Sequence, residues 1–310
     1  MRIVLVDPSR TALKYVSQLL EARDHEVRAF TDGQEALACT KSDSAVGALI
    51  TSSELGSMSG VELCWEARLL ANPQRPIYVI LMSSSQDRQL LIEALDCGAD
   101  DFIGKPPVAE ELYARLRAAE RLTAMQRELV QLATSDSLTG TLNRRTFFEQ
   151  GNEALERAAA GGNLFAVMFD IDRFKSINDI YGHDVGDRAI RAVSQAAESE
   201  GAPLGRLGGD EFAFLIEGGT ILEAEAIAER LRAKVAGLRF QTPKGTMSLS
   251  CSIGLSQWEP GDSIDWLLKR ADIALYAAKH GGRNRVVTAD PGFSATDDSA
   301  LHNLASIRQR

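Results

Sequence analysis

FAVMFDIDRFKSINDIYGHDVGD, residues 165–187, runs from a strand-like apolar stretch straight into a string of acidic and amide side chains. Alternation along a strand puts Asp170 and Asp172 on one side, so its end brings two carboxylates toward one place. Asn178, Asp179, Asp184 and Asp187 follow on turns and helices. A second stretch, RLGGDEFAFLI at 206–216, repeats the theme: Gly208 and Gly209 make a tight turn, and Asp210 and Glu211 lie on it before another buried strand. Carboxylates gathered at apolar strand ends repel one another and are costly without a cation. A glycine pair lets the backbone approach a phosphate while the acids beside it hold a hard metal ion. Taken singly these features have plainer readings: Asp172 and Asp179 as caps or solvated residues, the glycines as a simple hairpin turn, Lys279 and Arg283 as solvated charges near a helix end. Their co-occurrence favours a phosphate and metal site.

Composition narrows the chemistry. The four histidines fall in no HExxH or other metal-ligand spacing, so a metal must be held by carboxylates, which points to magnesium or manganese rather than zinc. Cys39, Cys64, Cys97 and Cys251 form no CxxC pair, sit among apolar residues and are expected as buried thiols. A formal charge of -9 argues against a broad nucleic-acid surface. No apolar run approaches the roughly eighteen residues of a membrane span, and the amino terminus reaches charge too early for a signal peptide. The expectation is a cytoplasmic protein with neither membrane nor nucleic-acid partner.

The 310 residues suit two domains of about 150 each. In the first third, RIVLV, HEVRAF, AVGALI, PIYVIL and DDFIG alternate with helical stretches as five strand-helix pairs, predicting a parallel sheet covered on both faces. From Pro107 to about Ala133 no glycine or internal proline interrupts a helix. Its apolar stripe runs Leu112, Leu116, Ala119, Leu122, Met125, Leu129 and Leu132, with one slip near Leu122. The second half of that stripe is expected to pair with a partner chain. Beyond Asp136 strands and helices are mixed, predicting an α/β domain with an antiparallel-rich sheet; TMSLSCSIGLS reads as one strand and Pro203 as part of a turn. The domains are thus 1–120, a linker helix at 107–135, 136–289, and a tail at 290–310 with little core-forming content.

About residues 134–289 resemble the GGDEF family of diguanylate cyclases. The signature stands as Gly208, Gly209, Asp210, Glu211 and Phe212, joined in order by DSLTGTLNRR (136–145), FDIDRFKSIND (169–179), YGHDVGD (181–187) and ALYAAKHGGRNRV (274–286). The resemblance implies condensation of two GTP to cyclic di-GMP with release of two pyrophosphates. It further implies that Asp170, Asp210 and the backbone carbonyl of Ile171 hold magnesium, that Asn178 and Asp187 read the guanine edge, and that Phe174 and Lys175 lie where a helix start wraps the phosphates. Gly208 and Gly209 line the nucleotide, Lys279 and Arg283 clamp the triphosphate, Arg206 falls in the active-site region, and Glu211 activates the attacking 3'-hydroxyl. One nucleotide site per domain and a two-fold product imply a homodimer. The alternative is a catalytically silent sensor of GTP or cyclic di-GMP, or a scaffold. The product-inhibition motif RxxD is missing; Ser199 and Ala202 occupy its places.

Residues 1–120 resemble response-regulator receiver domains of the flavodoxin-like (βα)5 class, with Asp7, Ser83, Phe102 and Lys105-Pro106 at matching places. Aligning Gly60 on the family's glycine puts Ser52 where the phosphoryl-accepting aspartate belongs, and Pro8 replaces the second metal-binding acid. Serine is a far weaker nucleophile at neutral pH and gives a metal no charge. Glu54, two residues on, is at a different strand-to-loop position. The expectation is a degenerate receiver that serves dimerisation or is open to a regulatory protein or ligand.

Overall fold

The computed structural model describes residues 1–84, 88–200 and 203–290, the side chains of 88–91 excepted. The tail expected at 290–310 therefore lies outside the described residues from 291 on, and so do Ala202 and the first residue of the helix expected from Asp87. The chain divides between Ala133 and Thr134 into two compact units.

The first unit runs β1 (Arg2–Val6), α1 (Arg10–Glu21), β2 (Glu26–Phe30), α2 (Gly33–Ser42), β3 (Val46–Ser52), α3 (Gly60–Leu70), β4 (Tyr78–Ser83), α4 (Arg88–Asp96), β5 (Asp101–Gly104) and α5 (Ala109–Thr134). Its five strands are all parallel in the order β2-β1-β3-β4-β5. β3 and β4 are buried at every position, as unbroken apolar runs require when helices cover both faces. Ile3, Leu5, Ile50 and Ile80 pack on one side with Leu112 and Leu116, while Val4, Val6, Leu49 and Leu81 pack on the other with Leu63 and Ala67. Strand order reverses between β1 and β3, so Asp7 and Ser52, at their carboxyl ends, face the crevice where such sheets place function.

The stripe on α5 resolves into two seams. Leu112, Leu116, Ala119 and Thr123 are buried, with the Thr123 hydroxyl donating to Ala119 O at 2.8 Å. Leu122, Met125, Leu129 and Leu132 are more than half exposed. The slip near Leu122 marks the point where the core-facing seam ends and a second, exposed one begins.

The second unit contains β6 (Leu142–Asn143), α6 (Arg144–Ala159), β7 (Leu164–Ile171), α7 (Phe174–Tyr181), α8 (His183–Glu198), β8 (Leu204–Gly208), β9 (Glu211–Glu217) and α9 (Ile221–Gly237). It continues with β10 (Arg239–Thr242), β11 (Gly245–Ser248), β12 (Cys251–Gln257), α10 (Ile264–His280) and β13 (Val286–Thr288). Six strands form a mixed sheet in the order β13-β12-β7-β9-β8-β6, with β7 antiparallel to both β12 and β9. β7 is central and wholly buried. Its odd residues Phe165, Val167, Phe169 and Ile171 pack with Val193 and Leu231 of α8 and α9, and its even residues Leu164, Ala166 and Met168 with Ala154 and Leu275 of α6 and α10.

Three expectations change. The single strand TMSLSCSIGLS breaks at Leu249 and Ser250, giving β11 to a separate hairpin with β10 and β12 to the main sheet. Pro203, expected in a turn whose residues 201 and 202 lie outside the described residues, is followed by β8, a strand that sequence reading did not expect because its two glycines and arginine carry no β-branched or aromatic signal. Only Cys64 and Cys251 are buried, and Cys39 and Cys97 are half-buried; burial pushes the Cys64 thiol up to about 12, leaving it inert near neutral pH.

Candidate functional site

Strand pairing assembles the site. Asp170 and Glu211 are direct partners across the β7–β9 ladder. The β8–β9 register shifts between Arg206 and Gly208, and the hairpin closes through Gly208, Gly209 and Asp210. Gly209 has φ +53, and a side chain there would meet nothing within 4 Å. Glycine is needed for the left-handed backbone, and the space around it is open for a ligand.

Arg206, expected beside the nucleotide, is engaged by the protein instead. Its Nε and Nη2 donate to Gly209 O at 2.9 and 2.6 Å, and its Nη1 to Asp136 Oδ1 at 2.9 Å. Burial acts to raise the Asp136 carboxyl, but Arg206 and Thr139 outweigh it and hold the group below the ordinary carboxylate range. Arg206 thus fixes the GG turn to the segment that opens this unit. A planar, five-donor side chain can span both acceptors.

The carboxylates are out of electrostatic balance. Asp170 is 7 % exposed, and its Oδ2 lies 2.9 Å from Lys279 Nζ. Burial pushes Asp170 up to about 6 against the pull of Lys279, with Asp210 and Glu211 adding to the rise. Burial also raises Asp210, opposed by its own backbone N–H, Lys279 and Arg206. Asp210 and Glu211 thus add their charge to an Asp170 already paired with the Lys279 ammonium, an arrangement that a divalent cation would relieve. Among the described residues no three acidic, histidine or cysteine side chains form a ready-made metal cluster. Magnesium is commonly held by one or two carboxylates and completes its shell with carbonyls, water and phosphates, so the donor set fits it. The Ile171 side chain lies in the core, which leaves only its backbone to serve such an ion.

Asp172 shares Asp170's face but is fully used. Ser250 Oγ and Ser252 Oγ each donate to it at 2.6 Å, and the Asn284 amide does so at 3.0 Å. It ties the end of β7 to β12 and to the loop before β13.

The nucleotide end is built on α7 and α8. α7 begins after Arg173, which has φ +56 and supplies no side-chain cap. The first amides, at Phe174 and Lys175, are thus left for a ligand. The Asn178 Oδ1 is buried without a hydrogen-bond partner. It fills the space at Gly186, where a Cβ would lie 1.9 Å from it, so only glycine lets α8 approach this closely. Asp187 follows on α8 and is half-buried. Lys279 and Arg283 do not stand as a pair: Lys279 holds Asp170, whereas Arg283, at φ +64, lines a neighbouring cleft with Asp172 and Arg173.

Where the inhibition motif would begin, Ser199 ends α8 and its hydroxyl donates to Ala196 O at 2.7 Å. The next residue, Glu200, has a buried side chain paired with Arg230 at 3.1 Å and with Lys234.

The first unit's strand-end site is closed on itself. Lys105 Nζ lies 2.5 Å from Asp7 Oδ2 and donates to Ser52 Oγ at 2.6 Å. Ser52 Oγ donates to Glu54 O at 2.9 Å, and Ser53 Oγ donates to Ser83 Oγ at 2.9 Å. The Glu54 side chain is exposed and does not join the pair.

Sequence reasoning missed the Lys279–Asp170 contact and the partners of Arg206. The first joins positions 109 residues apart. For the second, Asp136 opens DSLTG, a motif whose Asp-x-x-Thr spacing signals an Asx-type turn: Asp136 Oδ1 indeed accepts from the Thr139 amide at 3.0 Å.

Residues 133–285 match the family model described as diguanylate cyclase, GGDEF domain, and residues 3–117 match the response regulator receiver domain. The response regulator PleD of Caulobacter vibrioides is 37 % identical over 227 residues, covering 69 % of this chain and 50 % of PleD. Diguanylate cyclase DgcM of Escherichia coli is 38 % identical over 171 residues, covering 53 % of this chain and 40 % of DgcM. The chain spans about half the length, or less, of these curated relatives. Among solved structures, the coiled coil and GGDEF domain of DgcB from Caulobacter crescentus, in complex with c-di-GMP, aligns with TM-score 0.53 at 33 % identity, covering 57 % of this chain and 99 % of that one. Diguanylate cyclase SiaD from Pseudomonas aeruginosa, in complex with its activator SiaC, aligns with TM-score 0.50 at 34 % identity, covering 58 % and 72 %.

Proposed function

The chain belongs to the GGDEF family of diguanylate cyclases, with a response-regulator receiver domain ahead of the GGDEF domain, and from that premise we propose that it condenses two GTP into cyclic di-GMP and two pyrophosphates. The observation that carries this reading is the convergence of Asp170 and Glu211, paired across β7 and β9, with Asp210 on the adjoining turn and the Lys279 ammonium 2.9 Å from Asp170 Oδ2.

Asp170, Asp210 and the Ile171 carbonyl would hold magnesium or manganese, which neutralises phosphate charge during transfer. Gly208 and Gly209 let the turn approach the nucleotide, and the uncapped start of α7 at Phe174 and Lys175 offers amides to its phosphates. The orphaned Asn178 Oδ1 accepts from guanine, and Asp187 accepts the N1 and N2 hydrogens. Adenine has no N1 hydrogen to give. Lys279 and Arg283 would bind the triphosphate. Glu211 accepts the proton of the attacking 3'-hydroxyl.

Two bonds of a two-fold product need two nucleotide sites, so the working unit is a homodimer. Four exposed apolar side chains at Leu122, Met125, Leu129 and Leu132 make α5 the surface for that pairing. The receiver, with Ser52 for an acceptor, acts as scaffold or as a target for a non-phosphate signal. Among the described residues no helix is long and apolar enough to cross a membrane.

Purified protein incubated with GTP and magnesium, followed by anion-exchange chromatography, tests the reading. Cyclic di-GMP is the expected product; GTP left intact at micromolar protein would leave a silent nucleotide sensor in its place.

A further inference from the structure

A cleft of about 790 Å³ opens in the second unit beside the carboxylate site, bounded by α7, the β10–β11 hairpin and the loop from α10 to β13. Asp170, Asp210, Glu211, Asn178, Asp187 and Lys279 do not line it. Arg173, Arg239 and Arg283 do, together with Ser176, Thr246 and Ser248. Among the described residues the one carboxylate on its wall is Asp172, whose oxygens already accept from Ser250, Ser252 and the Asn284 amide. The cleft therefore presents three guanidinium charges with no free acid to offset them.

Two further features mark it as a binding site. Arg239 is held in place because its Nη1 donates to Ala236 O at 2.7 Å and to Leu238 O at 2.8 Å, which anchors the guanidinium at the end of α9. Three of the four non-glycine residues with positive φ among the described residues, Arg173, Arg283 and Asn284, line this cleft. Left-handed backbone at such residues costs free energy and collects where a ligand is bound.

The volume suits a small ligand. Several guanidiniums with nearby hydroxyls match a compact, multiply charged phosphate, since each arginine can offer two parallel N–H donors to its oxygens. We propose that this cleft binds pyrophosphate, receiving the leaving group of the reaction from the neighbouring start of α7. This rests on the cyclase reading for its biological meaning, but not for its chemistry. Arg173 adjoins the first turn of α7, and Arg283, already assigned to the triphosphate, lies on the cleft wall. A released pyrophosphate would thus pass from one arginine-lined wall to the next.

Pyrophosphate itself is the probe, titrated by calorimetry into the full-length protein with magnesium and no nucleotide. Saturable binding is expected, weakened by about tenfold or more in Arg239→Ala through loss of a charge-assisted contact. The KM for GTP in that variant should stay within about twofold of wild type. Ser248→Glu, which keeps Arg239 and adds a carboxylate to the wall, should weaken binding at least as much. Absence of saturable binding, or equal affinity in wild type, Arg239→Ala and Ser248→Glu, overturns the proposal. Equal affinity combined with full competition by a non-hydrolysable GTP analogue would assign pyrophosphate to the triphosphate site instead. Failure of the cyclase reading is visible separately: Arg239-dependent binding without GTP turnover keeps the cleft and removes the cyclase.

Discussion

Asp7 in the first unit and Asp170 in the second occupy comparable places: each is a buried carboxylate at the carboxyl end of a buried strand, facing a lysine that arrives from much later in the chain. Around Asp7 the charges cancel, because among the described residues its ion-pair partner is Lys105 and the third member, Ser52, is neutral. Around Asp170 they do not. Asp210 and Glu211 add two carboxylates, and burial pushes Asp170 up to about 6 against the pull of Lys279. A strand-end acid with a lysine is a structural ion pair; the same motif with surplus carboxylate is a place for a cation and its phosphates.

The comparison breaks most visibly when the surplus is removed. Asp210→Ala should lower cyclic di-GMP formation by at least about a thousandfold, measured as product per enzyme at saturating GTP and magnesium. Retained turnover would mean that the cluster is not the reaction centre. Lys105→Met attacks the balanced site: with Asp7 buried and unpaired, amides of β1 and β3 should exchange with solvent about a hundredfold faster, equivalent to about 3 kcal/mol, while the cyclase domain is unaffected. Asn178→Ala should raise KM for GTP by about tenfold to a hundredfold, since it deletes the buried acceptor that no protein group satisfies.

Acidity sharpens the contrast further. Asp170 must be ionised to hold a cation, and its pKa in the metal-free protein is raised, so proton and metal compete below pH 6. Manganese affinity should be steady above pH 7 and fall by about tenfold per unit below pH 6. Smallest of all is Ser52→Ala. This change should shift the cyclase rate by less than about twofold, and acetyl phosphate should add no phosphoryl mass to the wild-type protein nor beryllofluoride change its rate, because no acceptor carboxylate stands at the end of β3.

Strand-helix alternation made the parallel first unit legible, and the apolar run before Asp170 announced the central strand of the second. Short elements were not legible: β8 is written in glycine, arginine and leucine, and the break between β11 and β12 falls inside a run that reads as continuous. In the site, residues close in sequence were easier than their distant partners. The alternation rule placed Asp172 on the face of Asp170, yet Ser250 and Ser252, which occupy its oxygens, come from the break before β12 and from β12 itself, 78 and 80 residues later. Arg206 stood close enough to the GG turn to look like a nucleotide contact, and only the fold reveals Asp136 and Gly209 as its acceptors.

Paramagnetic broadening by manganese tests the contrast between the two sites directly, using amide NMR of the full-length protein with a non-hydrolysable GTP analogue bound. The expected result is saturable broadening centred on Asp170, Ile171 and Asp210, lost in Asp170→Asn, with Asp7, Ser52 and Lys105 unaffected. Broadening centred on Asp7, or none at Asp170, would contradict the assignment of the cation to the site with surplus carboxylate.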